Sequence, residues 1–209
     1  MISEELQHFL LDFCGPESPL LQEIDRETQL KVLMPRMLSG HYQGRVLSML
    51  SKLIAPLRIL EIGTFTGYAT LCLAEGLQEG GEIVTIDINE ELEDRVRRYF
   101  ERSEYARKIR YIIGDAQQVI PGLTETWDIV FIDADKKNNG RYYDMIFDRV
   151  RSGGLIIVDN VLWSGKVLAN AQDTDTKNIS TFNHKITNDP RVEKLILPVR
   201  DCLFLIRKK

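Results

Sequence analysis

Apolar residues recur with two different periods along this chain, and the period changes near residue 57. Before it, the spacing is helical. Leu6, Phe9, Leu10 and Phe13 share one face over residues 3–14, with Glu4 and Glu5 in the first turn, where the helix dipole favours acidic groups. Ser18-Pro19 reads as an N-cap followed by proline at the first helical position, opening a second helix through Ile24. Pro35 interrupts the pattern. Met37–Gly44 is then expected as a loop entering a third helix, which carries Val46, Leu47, Leu50, Leu53 and Ile54 on its apolar face. Residues 1–55 thus read as a helical cap or lid and residues 56–209 as an α/β core, in one domain.

From Leu57 short apolar runs alternate with helical stretches. Leu57–Ile62 is a strand that stops at Gly63, and Gly67 four residues on precedes a helix. Glu82–Asp87, Ile109–Ile113, Trp127–Asp133 and Leu155–Asp159 are further strands. Asn89 caps a helix that buries Leu92, Val96 and Tyr99, and Tyr142–Val150 is expected to be helical. Near-continuous apolar strands separated by helices predict a doubly wound, mostly parallel sheet covered on both faces. The end departs from this rhythm. Val192–Val199 and Cys202–Arg207 are joined by so short a link that only an antiparallel hairpin fits, which reverses one strand at or near the sheet edge.

Composition narrows the setting. The 209 residues suffice for one domain with a sizeable core, and 44% hydrophobic with 28% charged residues is ordinary for a globular protein. A net charge of −4 gives no general attraction to nucleic acid or anionic membrane. No apolar run approaches a membrane span. The start Met1-Ile2-Ser3-Glu4-Glu5 lacks a basic secretory n-region. Cys14, Cys72 and Cys202 are scattered and odd in number, as for buried thiols of a reducing compartment. A cytoplasmic location is expected.

Candidate chemistry collects at the carboxyl ends of the strands, where doubly wound sheets bind ligands. Glu61, Asp87, Asp115, Asp133 with Asp135, and Asp159 beside Asn160 stand at or near successive strand ends. Singly, each is an ordinary cap or turn residue; five at equivalent places form a pattern. Gly63 lets a ligand approach bare backbone, and the helix that follows offers free N–H groups to an anion. Asp87 lies 24 residues after Gly63, near the spacing at which an acidic residue takes ribose hydroxyls, so an adenosine-containing cofactor fits. Asp133, Asp159 and Asn160 are all oxygen donors, which suits magnesium or calcium rather than zinc. Lys136, within one turn of Asp133, is either an ion-pair partner or a base.

Three segments, Glu61-Ile-Gly-Thr-Phe-Thr-Gly-Tyr, Phe131-Ile-Asp-Ala-Asp-Lys and Gly153-Gly-Leu-Ile-Ile-Val-Asp-Asn-Val-Leu-Trp, resemble those of the cation-dependent O-methyltransferases, the caffeoyl-CoA and catechol O-methyltransferase group, bacterial members included. The likeness runs from about Met37 to the C-terminus. It implies a Rossmann-like, class I methyltransferase fold with seven strands, the last one reversed, and a homodimer. It implies S-adenosyl-L-methionine as cofactor, with Glu61 and Gly63 at its methionine part, Asp87 at the ribose, and Asp115 and Ala116 at the adenine. Met37 and Ser39 match lid positions, and Tyr68, Ala69 and Asp133 complete the cofactor set. Asp133, Asp159 and Asn160 match the ligands of a divalent cation (magnesium first, calcium or manganese as alternatives). Lys136 matches the base, acting with Asp133, and both Trp163 and Lys136 face the acceptor. Ala69 stands where relatives often carry serine, and Cys202 where many carry glycine.

The implied reaction is methyl transfer to one hydroxyl of a vicinal diol of catechol type, with residues 35–44 and 164–178 closing over the site. One rival is a tRNA hydroxyuridine methyltransferase of the same family, for which Arg36, Arg45, Lys136, Lys137, Arg141 and Lys166 would form a basic rim. Another is a non-catalytic nucleotide-binding module, which has no use for the metal-type triad or Lys136. An NAD-linked dehydrogenase is disfavoured, since G-x-G-x-x-G is missing.

Overall fold

The computed structural model describes residues 4–169 and 171–209; the expected helix start at Ser3 and the loop residue Asn170 lie outside the described residues. The described residues form a seven-stranded sheet whose strands, counted along the chain, lie in the order third, second, first, fourth, fifth, seventh, sixth. The chain divides into two compact units, one ending at Ala116 and the other beginning at Gln117.

The first unit holds α1 (Glu4–Asp12), α2 (Pro19–Lys31), α3 (Gly40–Ile54), β1 (Arg58–Ile62), α4 (Tyr68–Ala74), β2 (Glu82–Asp87), α5 (Glu93–Arg102) and β3 (Ile109–Ile113), and α6 (Ala116–Val119) begins at its end. β1, β2 and β3 are parallel, with Glu61 level with Thr85 and Thr85 level with Tyr111. α2 starts as expected. The Ser18 hydroxyl oxygen accepts from the Leu21 N–H at 3.3 Å, and the helix outruns Ile24 because Thr28 is buried too, donating to Thr66 Oγ1 at 3.2 Å.

Several expectations fail here. The segment Met37–Gly44 is a loop only to Ser39; a 3₁₀ turn spans Pro35–Met37 and α3 begins at Gly40. The apolar stripe of α3 is also only partly its buried face. Leu47 is buried and Val46, Leu50 and Ile54 are half-buried, yet Leu53 is 76% exposed, while Gln43, Gly44, Ser48 and Ser51 are buried. The reason is close approach to α4. A Cβ at Gly44 would lie 2.7 Å from Tyr68 Cε1, and one at Gly76 2.3 Å from the Ser51 carbonyl carbon, so only small side chains fit the seam. The expected apolar face of α1 is likewise open, with Phe9 and Phe13 56% and 79% exposed. Cys72 is buried as expected, whereas Cys14 and Cys202 are only half-buried.

The α3–α4 seam is pinned by an ionic node. Glu75 accepts from both terminal nitrogens of Arg45 (2.6 and 3.0 Å), from Ser48 Oγ (2.6 Å) and from Lys52 Nζ (2.7 Å). Burial by itself raises the Glu75 pKa, but these donors, Arg45 foremost, outweigh it and hold the group at about 2. A depressed folded-state pKa contributes stability that is present above the ordinary value of 4.5 and lost as pH falls toward 2. The stability advantage of the wild type over Glu75→Gln is therefore expected to shrink across that window, read from urea midpoints at successive pH values. An advantage that holds constant down to pH 2 would show that the node does not govern acid stability.

The second unit holds β4 (Trp127–Ile132), α7 (Asn139–Phe147), β5 (Val150–Asp159), α8 (Thr174–Thr187), β6 (Val192–Leu197) and β7 (Leu203–Lys208). β4 and β5 are parallel, and β7 runs antiparallel to both β5 and β6, as the short link requires. Val150, expected to end a helix, instead begins β5 opposite Trp127, with a register irregularity before Ile129. Arg151 and Ser152 are exposed and Gly153-Gly154 follow, so the start of this strand carries no apolar signal. The expected loop 164–178 stops early, because Asp173 caps α8, accepting from the Thr176 N–H at 3.1 Å. Among the described residues no helix is long and apolar enough to cross a membrane.

Candidate active site

The first unit carries the glycine turn. β1 ends at Gly63, which takes φ +102° and donates its N–H to the Ile86 carbonyl at 2.9 Å. Gly67 caps α4 at φ +80°, and a Cβ there would meet the Phe100 ring at 2.6 Å. Both positions need glycine for these reasons. Between them Phe65 is left-handed at φ +49°, and its N–H donates to Asp87 Oδ2 at 2.6 Å. Asp87 Oδ1 accepts from the Asn89 N–H at 2.8 Å, and the Asp87 carbonyl accepts from the Gly114 N–H at 2.8 Å. Asp87 thus ties the glycine turn to the ends of β2 and β3 while its side chain stays half-exposed.

Glu61 is fully buried and finds its donors in hydroxyls. It accepts from Thr85 at 2.5 Å and from Thr70, and Thr64 in turn shares a 2.6 Å bond with Thr85. Sequence reasoning anticipated that this carboxylate needs partners but missed the threonines. Thr64, Thr66 and Thr70, clustered after a buried acid, were the available signal. Ser39, Ala69 and Ala116 are buried, Asp115 is half-buried and Met37 is 54% exposed. Tyr68 is 1% exposed with its hydroxyl given to Glu17, so what it offers at the α4 N-terminus is backbone. His41 Nε2 lies 2.6 Å from the Gly15 carbonyl, and its Nδ1 is 3.8 Å from Glu17, so the segment before α2 is fastened to the start of α3. A charged cleft of about 350 Å³ lies elsewhere in this unit, walled by α2 and α5 through Glu23, Glu27, Arg95 and Arg102. Its side chains are paired with one another, as Glu23 is with Arg102 at 2.6 Å.

The second unit carries the oxygen donors. Ile132, the last residue of β4, is level with Val158, and Asp133 and Asp159 are the residues that follow each of them; neighbouring strands lie about 4.8 Å apart. Lys136 Nζ donates to Asp133 Oδ1 at 3.0 Å, with side chains only 9% and 20% exposed. Asp135 turns to Asn138 and Tyr142, at 2.6 and 2.7 Å. Asp159 is 3% exposed and accepts from the Asn160 N–H at 2.6 Å. Asn160 itself is left-handed at φ +62°. Among the described residues no group of three His, Cys, Asp or Glu side chains is placed to hold a metal. The set of interest has two carboxylates and one amide. Such a donor set fits a hard divalent cation that keeps open positions for water or substrate. Trp163 Nε1 and both amide atoms of Asn139 are buried without a hydrogen-bond partner among the described residues. Asn139 was not anticipated from sequence.

Known proteins resemble this arrangement over nearly the whole chain. Caffeoyl-CoA O-methyltransferase 5 of Nicotiana tabacum is 34% identical over 220 residues, covering 99% of this chain and 92% of that protein. The O-methyltransferase from Bacillus cereus, solved in complex with SAH, superposes with a TM-score of 0.90 at 30% identity, covering 98% of this chain and 97% of its own. The SAH-bound methyltransferase PaMTH1 of Podospora anserina gives a TM-score of 0.90 at 25% identity, covering 100% of this chain and 97% of its own. The profile of the O-methyltransferase family matches residues 12–209, and this chain belongs to that family.

Proposed function

We propose that the chain transfers a methyl group from S-adenosylmethionine to one hydroxyl of a small catechol-like vicinal diol, with the help of a divalent cation. The observation that carries the reading is the pairing of Ile132 with Val158, the residues just before Asp133 and Asp159, with Asn160 next to one carboxylate and Lys136 Nζ on the other. The names of the relatives support the donor and the acceptor class. Asp133, Asp159 and Asn160 would hold the cation, whose chemistry is to lower the pKa of a bound hydroxyl. S-adenosylmethionine supplies a methyl on sulfonium sulfur.

The chain's own residues do the remainder. The Gly63–Gly67 turn presents bare backbone to the methionine part, and Asp87 has lone pairs left for the ribose after accepting from Phe65 and Asn89. Lys136, when its amine is unprotonated, takes the acceptor's proton while the acceptor oxygen forms its bond to the methyl carbon. The C–S bond breaks and its electron pair stays on sulfur. Trp163 offers an apolar face and an indole N–H to the acceptor. A tRNA acceptor draws less support, because several cations of the expected basic rim are already paired. Arg45 lies 2.6 Å from Glu75, Lys136 3.0 Å from Asp133, Lys166 3.7 Å from Asp173 and Lys137 4.0 Å from Asp135.

The direct test is labelled S-adenosylmethionine with magnesium, offered in parallel to a catechol panel and to hypomodified tRNA. Label is expected in a catechol. Label in tRNA alone would move the acceptor class, and label in neither would remove the proposal. On the cofactor side, Asp87→Ala is expected to weaken S-adenosylmethionine binding by about 1.5–3 kcal/mol, the scale of hydrogen bonds to a charged group. Calorimetry without metal checks this, and unchanged affinity would take Asp87 out of the cofactor site.

A further inference from the structure

The turn that follows β5 is strained, and one residue outside the expected site holds it. Trp163 and Ser164 are consecutive left-handed residues, both at φ +53°, and Arg200 and Cys202 on the facing hairpin are left-handed at +48° and +69°. Neither tryptophan nor serine adopts this conformation readily, and such strain persists only where the surroundings over-determine it. Asp201 supplies that determination. Its Oδ1 accepts from the Ser164 N–H at 2.7 Å, and its carbonyl accepts from the Leu162 N–H at 3.2 Å. The neighbouring Cys202 carbonyl takes the Val161 N–H at 3.4 Å, and Asn183 Nδ2 donates to the Val161 carbonyl at 2.9 Å. The turn is thus stitched to the hairpin as an extension of the β5–β7 pairing, in which Asp159 is level with Leu203.

We propose that Asp201 is a positioning residue for methyl transfer: it clamps the Leu162–Ser164 turn and fixes where the Trp163 indole stands. The inference rests on the reading that Trp163 and Lys136 face the acceptor. Burial raises the Asp201 pKa, and the bond it accepts from the Ser164 N–H works against that rise. Trp163 Nε1, buried and without a partner among the described residues, is a donor held ready for a group the protein does not provide. An indole fixed in this way contributes to binding only while the turn keeps its shape.

The experiment compares three variants by fluorescence quenching, catechol kinetics and S-adenosylmethionine affinity. Trp127 is 1% exposed, so acrylamide quenching of intrinsic fluorescence reports on Trp163. Asp201→Ala is expected to increase quenching. It should also lower kcat/KM for the catechol by about 10–100-fold, the scale for a misplaced reacting group, chiefly through KM, with S-adenosylmethionine affinity unchanged. Asp201→Asn keeps an oxygen for the Ser164 N–H, so quenching and the catechol KM should both stay near native. Adding Ser164→Gly to Asp201→Ala removes the conformational penalty and should restore part of the KM and the native quenching. Native quenching and catechol KM in Asp201→Ala would overturn the proposal, as would a Ser164→Gly addition that restores nothing. Should the wild type methylate no catechol, the functional reading fails instead, and the quenching series still decides whether Asp201 holds the turn.

Discussion

Asp159→Asn is expected to lower turnover by more than about 100-fold while S-adenosylmethionine still binds with nearly native affinity. Residues one step removed from a metal typically cost 10–100-fold when changed, and a direct ligand should exceed that. The substitution keeps volume and leaves an oxygen to accept from the Asn160 N–H, now at 2.6 Å, so the strand end has little reason to move. It removes one of the two carboxylates that give the site its charge, and at 3% exposure solvent cannot make up the loss. Cofactor affinity should persist because Asp87 and the glycine turn lie on other strands. The measurement is methyl transfer in chelator and across a magnesium titration, beside calorimetry of the cofactor. The wild type should fall silent in chelator and recover with magnesium, and the variant should need far more magnesium. Full activity of Asp159→Asn, or of the wild type in chelator, would return these residues to a purely structural role.

Lys136→Ala is expected to cost about 10²–10⁴-fold in turnover, the usual worth of a positioned acid–base group, with a different signature. Metal affinity should survive or improve, since Asp133 loses the cation that now sits 3.0 Å from it. The rate deficit should narrow as pH rises, because hydroxide replaces the missing base. Lys136→Arg should not rescue, as guanidinium stays protonated throughout the accessible range. A deficit independent of pH, with magnesium affinity lost, would make Lys136 a structural partner of Asp133 instead.

The order of strands and the chemistry at their ends were legible in the sequence because both are local. An apolar run that stops at Gly63, or at Asp133 or Asp159, announces a strand end through its own residues, and the link before Cys202 is too short for anything but a hairpin. What was not legible depends on which element becomes a neighbour. The third helix carries a sound apolar stripe, yet it buries Gly44, Ser48 and Ser51 because Gly76, some thirty residues away, lets α4 come close. Asp87 reads as a ribose ligand, but its hold on the Phe65 amide appears only once β1 and β2 are paired. That Asp133 and Asp159 follow paired residues, Ile132 and Val158, is a matter of register between two strands, and nothing in either strand alone sets it. The Asp201–Ser164 bond joins residues 37 apart in sequence and supports left-handed backbone at residues that do not favour it. Local pattern determined the elements and the chemistry they carry; pairing, close packing and strain, which are properties of neighbours, decided how the site is held.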